Sequence, residues 1–231
     1  MMTIRKSAER GFADHGWLKT YHTFSFADYK SPEHMRFRYL RVLNEDFIAS
    51  GGGFGEHPHQ NMEILTYVLS GELMHRDSMG NSGVIRAGEL QMMTAGRGIT
   101  HSEANESDVE THIIQVWLFP NEQNLEPSYL QTRPDPARRL NQLHRVVSEL
   151  PSDNEMKIHQ QTEIYLCDLD GKVSVSHGLA NGRHAWIQIL NGTANINGDR
   201  AVAGDGVAVS FDSEISISSD DSAKLILFDM S

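Results

Sequence analysis

The chain has 231 residues, a formal net charge of −11, 39% hydrophobic residues and 22% charged residues, the composition of an ordinary globular protein long enough for one large core or two smaller ones. The acidic balance opposes attachment to nucleic-acid phosphates or anionic lipid, so no direct nucleic-acid binding is expected. Cys167 is the only cysteine, which excludes an intrachain disulfide, fits a reducing compartment and leaves the thiol as a small core residue.

The N-terminal residues carry early positive charges without a long apolar run, and no segment approaches the roughly 18 uninterrupted apolar residues of a spanning helix. A cytoplasmic location without membrane attachment is therefore expected. Residues 1–35 are rich in aromatic side chains and histidine (His15, Trp17, Tyr21, His22, Phe24, Phe26, Tyr29, His34), and they read as an arm packed over a sheet edge. A strand follows at 38–43, broken by Gly51-Gly52-Gly53.

Short strands at 63–69, 73–76, 90–93 and 111–119 alternate with glycine turns at Gly71, Gly80, Gly88 and Gly96, a pattern that argues for a sandwich or barrel. Residues 121–150 hold three of the seven prolines, Pro127, Pro134 and Pro136, and they read as a connector. Strands then resume at 163–169, 185–190, 206–211, 214–218 and 224–228. An internal repeat emerges when the turns are aligned. Thr66-Tyr67-Val68-Leu69-Ser70-Gly71 parallels Ile187-Gln188-Ile189-Leu190-Asn191-Gly192, and Arg86-Ala87-Gly88-Glu89 parallels Val202-Ala203-Gly204-Asp205. The expected fold is all-β, two antiparallel barrels in one chain, with 1–120 as the first barrel and its arm, 121–150 as connector and 151–231 as the second barrel.

Two short runs carry the chemistry. His57-Pro58-His59 and His101-Ser102-Glu103 each place two metal-capable side chains two residues apart, on one face of a strand. Three imidazoles and a carboxylate suit iron, copper, nickel, manganese, cobalt or zinc. Glu63 is a rival carboxylate on parity with the first pair. In the second barrel the aligned positions are Gly178, Ala180, Ile217 and Ser219, none of which ligates a transition metal through its side chain, so one site is expected. His75, His112, His144, His159, His177 and His184 lack a partner at ligand spacing and read as surface or packing residues. Gln115 is read as either a substrate-facing or an ordinary core polar residue, and the methionines Met62, Met74, Met92 and Met93 as barrel filling.

The glycine-led His57-Pro58-His59 run and the later Gly88, Gly96, His101, Asn105 series resemble the two motifs of the cupin superfamily. His57 to Asn81, Ala87 to Glu103, Gln115-Val116-Trp117 and the opening His22-Thr23-Phe24-Ser25-Phe26 resemble one branch, the pirins, and among these the bacterial quercetin 2,3-dioxygenase type. The resemblance implies a bicupin of jelly-roll type, His57, His59, His101 and Glu103 as ligands of one divalent ion with Fe(II) placed first, and Glu103 as the base in oxygen-dependent cleavage of a phenolic flavonol by a monomer. It also implies an alternative, a metal- or redox-sensing regulator acting through a protein partner, as animal pirins are linked to iron-dependent control of transcription factors.

Overall fold

The structure, a computed structural model, describes residues 1–231. Apart from two short 3-10 turns, Ser7–Glu9 and Pro136–Arg138, its regular elements are strands, as the all-β expectation requires. No helix is long and apolar enough to cross a membrane. The chain forms two compact units, residues 11–134 with 158–160, and residues 1–10, 135–157 and 161–231.

In the first unit a seven-stranded sheet runs in the order Ser128–Thr132, Leu90–Thr94, Glu63–Ser70, Thr111–Leu118, Leu40–Ile48, Leu18–His22, Gly11–Asp14. Its central strand, Thr111–Leu118, is rich in the β-branched and aromatic residues that favour a pleated, buried surface. A second sheet contains Gly53–His59, Ile99–Ala104, Glu72–Asp77 and Ser82–Arg86. Leu73 and Ile85 of this sheet pack against Leu18, Ile48, Val68 and Ile113 of the larger one, closing one end of the barrel with an apolar layer. Ile64, Met93, Ala95 and Ile99 form another apolar cluster. The functional side chains lie in the same interior.

The second unit is built on a sheet ordered Met2–Arg5, Gly206–Ser210, His184–Ile196, Ser222–Met230, Thr162–Asp170, His144–Ser148, Met156–Lys157. Its core is aliphatic, with Cys167 inside it, where burial pushes the thiol up to about 12.

The compact units depart from the expected boundaries. Residues 1–35 divide between the units, 1–10 in the second and 11–35 in the first. Met2–Arg5 pairs with Gly206–Ser210 of the second unit, whereas Gly11–Asp14 and Leu18–His22 extend the large sheet of the first. The expected connector also contributes strands, Ser128–Thr132 on Leu90–Thr94 and His144–Ser148 on Thr162–Asp170. Its prolines masked this, because they lie between the paired segments rather than within them.

The internal repeat is reproduced in backbone detail. Gly71 and Gly192 have φ of 74° and 72°, and Gly88 and Gly204 have 86° and 84°, values that only glycine adopts without strain. The Gly88 N–H donates to Val68 O at 2.8 Å and the Gly204 N–H to Ile189 O at 2.8 Å. Carboxylates close both turns, Glu89 accepting from the Arg86 N–H and Asp205 from the Val202 N–H.

Candidate metal centre

Strands Gly53–His59 and Ile99–Ala104 run antiparallel with His57 opposite His101 and His59 opposite Ile99. Side chains of His57, His59 and His101 converge, each offering a nitrogen within 4.8 Å of the others. The Nε2 atoms of His57 and His101 are 3.0 Å apart. His57 Nδ1 hydrogen-bonds Gly55 O at 2.8 Å, which requires the proton on Nδ1 and leaves the Nε2 lone pair facing the cluster. Burial, and then the neighbouring histidines, lower the pKa of His59 to about 4 and that of His101 to about 3. Both rings are therefore neutral, as ligation requires.

Glu103 is buried and lies with His101 and His75 in a second group of convergent donors, again within 4.8 Å. Gln115 Nε2 donates to Glu103 Oε2 at 2.8 Å, and the Thr66 hydroxyl donates to Oε1 at 3.5 Å. Trp117 Nε1 in turn donates to Gln115 Oε1 at 3.3 Å. Because indole is only a donor, this contact fixes the orientation of the amide. Gln115 thus holds the carboxylate in place, a use that neither of its expected roles described.

Glu63 stands apart. It is three residues from Thr66 on one strand, so the two face opposite sides of the sheet. It accepts from the Thr94 hydroxyl at 3.1 Å and the His159 backbone N–H at 3.2 Å, and burial raises its pKa. Parity with the first histidine pair carried no information across the turn at residues 60–62.

His75 is the ligand-type residue that spacing missed. It lies opposite Glu103 across the strand pair, a relation set by register between segments 28 residues apart. Its Nε2 hydrogen-bonds Asp77 Oδ2 at 3.0 Å. Burial works against the charge on Asp77, but hydrogen bonds from Asn81, His75 and Met79 hold its pKa below the usual carboxylate range. The other histidines pack as expected: His112 stacks on Phe47 with ring centroids 4.0 Å apart and meets Glu45, while His177 meets Asp229.

Five polar residues cross the large sheet in one row. His22 pairs with Asn44, Asn44 with Gln115, Gln115 with Thr66, and Thr66 with Gln91, so all five side chains share a face. His22 Nδ1 and Asn44 Oδ1 are 3.0 Å apart. Beside this row opens a cavity of about 410 Å³, within the range of small-molecule sites. Trp17, Leu18, Phe26, Phe54 and Trp117 form its apolar wall, and Thr20, His22, Asn44, Asp46, His57, Glu103 and Gln115 its polar part.

The Pirin family model matches residues 3–118, and the model described as quercetinase C-terminal cupin domain matches 145–230. Quercetin 2,3-dioxygenase of Escherichia coli K12 is 46% identical over 231 residues, covering 100% of this chain and 99% of that protein. A pirin-like protein of Caulobacter vibrioides is 36% identical, covering 99% of both. The crystal structure of YhhW from E. coli superposes with a TM-score of 0.97 at 44% identity, covering 100% of this chain and 98% of the other. YhhW in complex with nickel(II) gives 0.95 at 44% identity, covering 100% and 99%. With a three-histidine barrel followed by one that lacks the cluster, and with these matches over its full length, the chain belongs to the pirin family.

Proposed function

We propose that the chain is a metal-dependent dioxygenase that cleaves a flavonol such as quercetin with molecular oxygen. His57, His59, His101 and Glu103 hold one divalent ion, Fe(II) first among the candidates. The observation that carries this reading is the cavity itself: it brings an apolar wall, a member of the histidine cluster and a buried, clamped carboxylate into one space. The donor set fits an ion, since three imidazoles converge, burial lowers the pKa of His59 and His101, and the His57 Nε2 lone pair is freed by the bond to Gly55. The bound ion would supply Lewis-acid polarisation of the flavonol hydroxyl oxygen.

Glu103 takes the hydroxyl proton. Gln115 and Thr66 keep its two oxygens aimed rather than free to rotate. Trp17, Phe26, Phe54 and Trp117 hold the flat aromatic body and keep bulk water from the reacting end. The name of the E. coli relative and the nickel(II) complex of YhhW support the reading. Both convergent donor groups lie in the first unit.

The test is reconstitution of metal-stripped protein with each candidate ion, followed by oxygen uptake and carbon monoxide release on adding quercetin. His101→Ala should lose both the ion and turnover. Absence of oxygen uptake and of carbon monoxide with every ion sinks the proposal.

A further inference from the structure

Asp46 lies on strand Leu40–Ile48 and lines the same cavity as His57 and Glu103. It belongs to neither group of convergent metal donors, so ligation does not account for a carboxyl group in a residue only 3% exposed. Thr20, directly opposite on the next strand, hydrogen-bonds that carboxyl. Oδ1 has no partner in the protein and less than 1 Å² of its surface exposed, so the carboxyl must turn toward the cavity to meet a ligand. Its neighbours in the cavity are engaged, His22 with Asn44 and Gln115 with Glu103. An unpaired buried oxygen is destabilising and calls for an explanation, and a cavity lined by that residue points to a ligand that completes its bonding.

Resting on the flavonol reading of this cavity, we propose that Asp46 touches the substrate, its carboxyl group hydrogen-bonding a hydroxyl other than the one that meets Glu103 and the histidines. The contact selects neutral aromatics bearing more than one hydroxyl. Carboxylated phenols are disfavoured, because the cavity lining contains two carboxyl side chains, Asp46 and Glu103, and neither lysine nor arginine. The wall of Trp17, Phe26, Phe54 and Trp117 accepts any flat ring of suitable size. Discrimination among such rings must come from the polar side, where a site built to bond a hydroxyl rejects the analogue that lacks it.

The experiment uses the full chain loaded with zinc, which has no redox chemistry, and follows quenching of tryptophan emission, since Trp17 and Trp117 line the cavity. The probes are quercetin and 3-hydroxyflavone, which keeps the central hydroxyl and lacks the others. The wild type should hold quercetin at least about 10-fold more tightly. Asp46→Ala should reduce quercetin to the level of 3-hydroxyflavone while leaving the latter within about 2-fold, and Asp46→Asn should recover part of the preference. Equal affinity of the wild type for both flavonols overturns the proposal, as does an equal loss for both in Asp46→Ala. The wild-type comparison needs no variant, so it stays decisive if Asp46→Ala does not fold. An Asp46-dependent preference without oxygen uptake by the iron-loaded protein overturns the dioxygenase reading and leaves the contact standing. Oxygen uptake without preference does the reverse, and failure to bind either flavonol overturns both.

Discussion

Replacing Asp46 by Asn should make the metal-stripped protein more stable, and only at higher pH. Burial raises the Asp46 pKa from 3.8 to about 7, partly offset by the Thr20 hydrogen bond and reinforced by the charges of Glu103 and Glu45. Between those two values the folded chain holds a proton that the unfolded chain releases. This group's contribution to stability is therefore complete below about pH 4, falls as pH rises through about 7, and is level above that. At 1.36 kcal/mol for each decade of acidity, the loss is roughly 4 kcal/mol, and the burial of the residue leaves little solvent screening to reduce it. An amide does not titrate. Urea unfolding of both proteins at about pH 4.5, 6 and 8 should show near-equal stability at the lowest value and Asp46→Asn ahead by several kcal/mol at the highest. His59 and His101, whose lowered pKa values act in the opposite sense as pH falls below about 6.5, are present in both proteins and cancel in the difference. A difference that is flat with pH, or an Asn variant that is less stable at pH 8, refutes the reasoning.

Gln115→Leu removes the 2.8 Å donor to Glu103 and should lower kcat about 10- to 100-fold, the worth of a hydrogen bond to a charged group, with quercetin turnover and ion content measured together. Since His59 and His101 stay neutral down to about 4 and about 3, ion content by elemental analysis should be unchanged by dialysis at about pH 5 and lost by about pH 3. Gly96→Ala meets both a φ of 47° and a backbone oxygen, Leu125 O, 2.0 Å from the new methyl carbon. It should cost at least about 2 kcal/mol, read as a lowered urea midpoint.

Much of this was legible in the sequence because it rests on short-range rules. Two-residue spacing puts His57 with His59 and His101 with Glu103 on common faces, and positive-φ glycines repeat at corresponding turns in both halves. What was hidden depends on register. Period two states that Asn44 and Asp46 share a face but not that the face is inward, and both lie beyond the expected strand at 38–43, within the observed strand Leu40–Ile48. His75 joins Glu103, and Gln115 joins Thr66, only through strand pairing. Glu63 was a plausible alternative while its strand was treated as in phase with the histidines, and the opposed facing of Glu63 and Thr66 separates it from the site. Residues 1–10 escaped because their partner strand, Gly206–Ser210, lies about 200 residues away.

The pairing between Gly53–His59 and Ile99–Ala104 slips once: His101 faces His57, yet Glu103 faces Phe54. Two steps on one strand span three on the other, so the strand bearing His57 carries a supernumerary residue beside Gly55. Phe54 and His57 are three apart and would otherwise point to opposite sides, yet both line the cavity. The same irregularity accompanies the bond from His57 to the Gly55 carbonyl. The extra residue therefore belongs to the setting of the His57 ring. A relative that kept every histidine but lost the extra residue would still have Phe54 on the side of His57, since residues two apart share a face, and would give up instead the Gly55 carbonyl that orients the His57 ring.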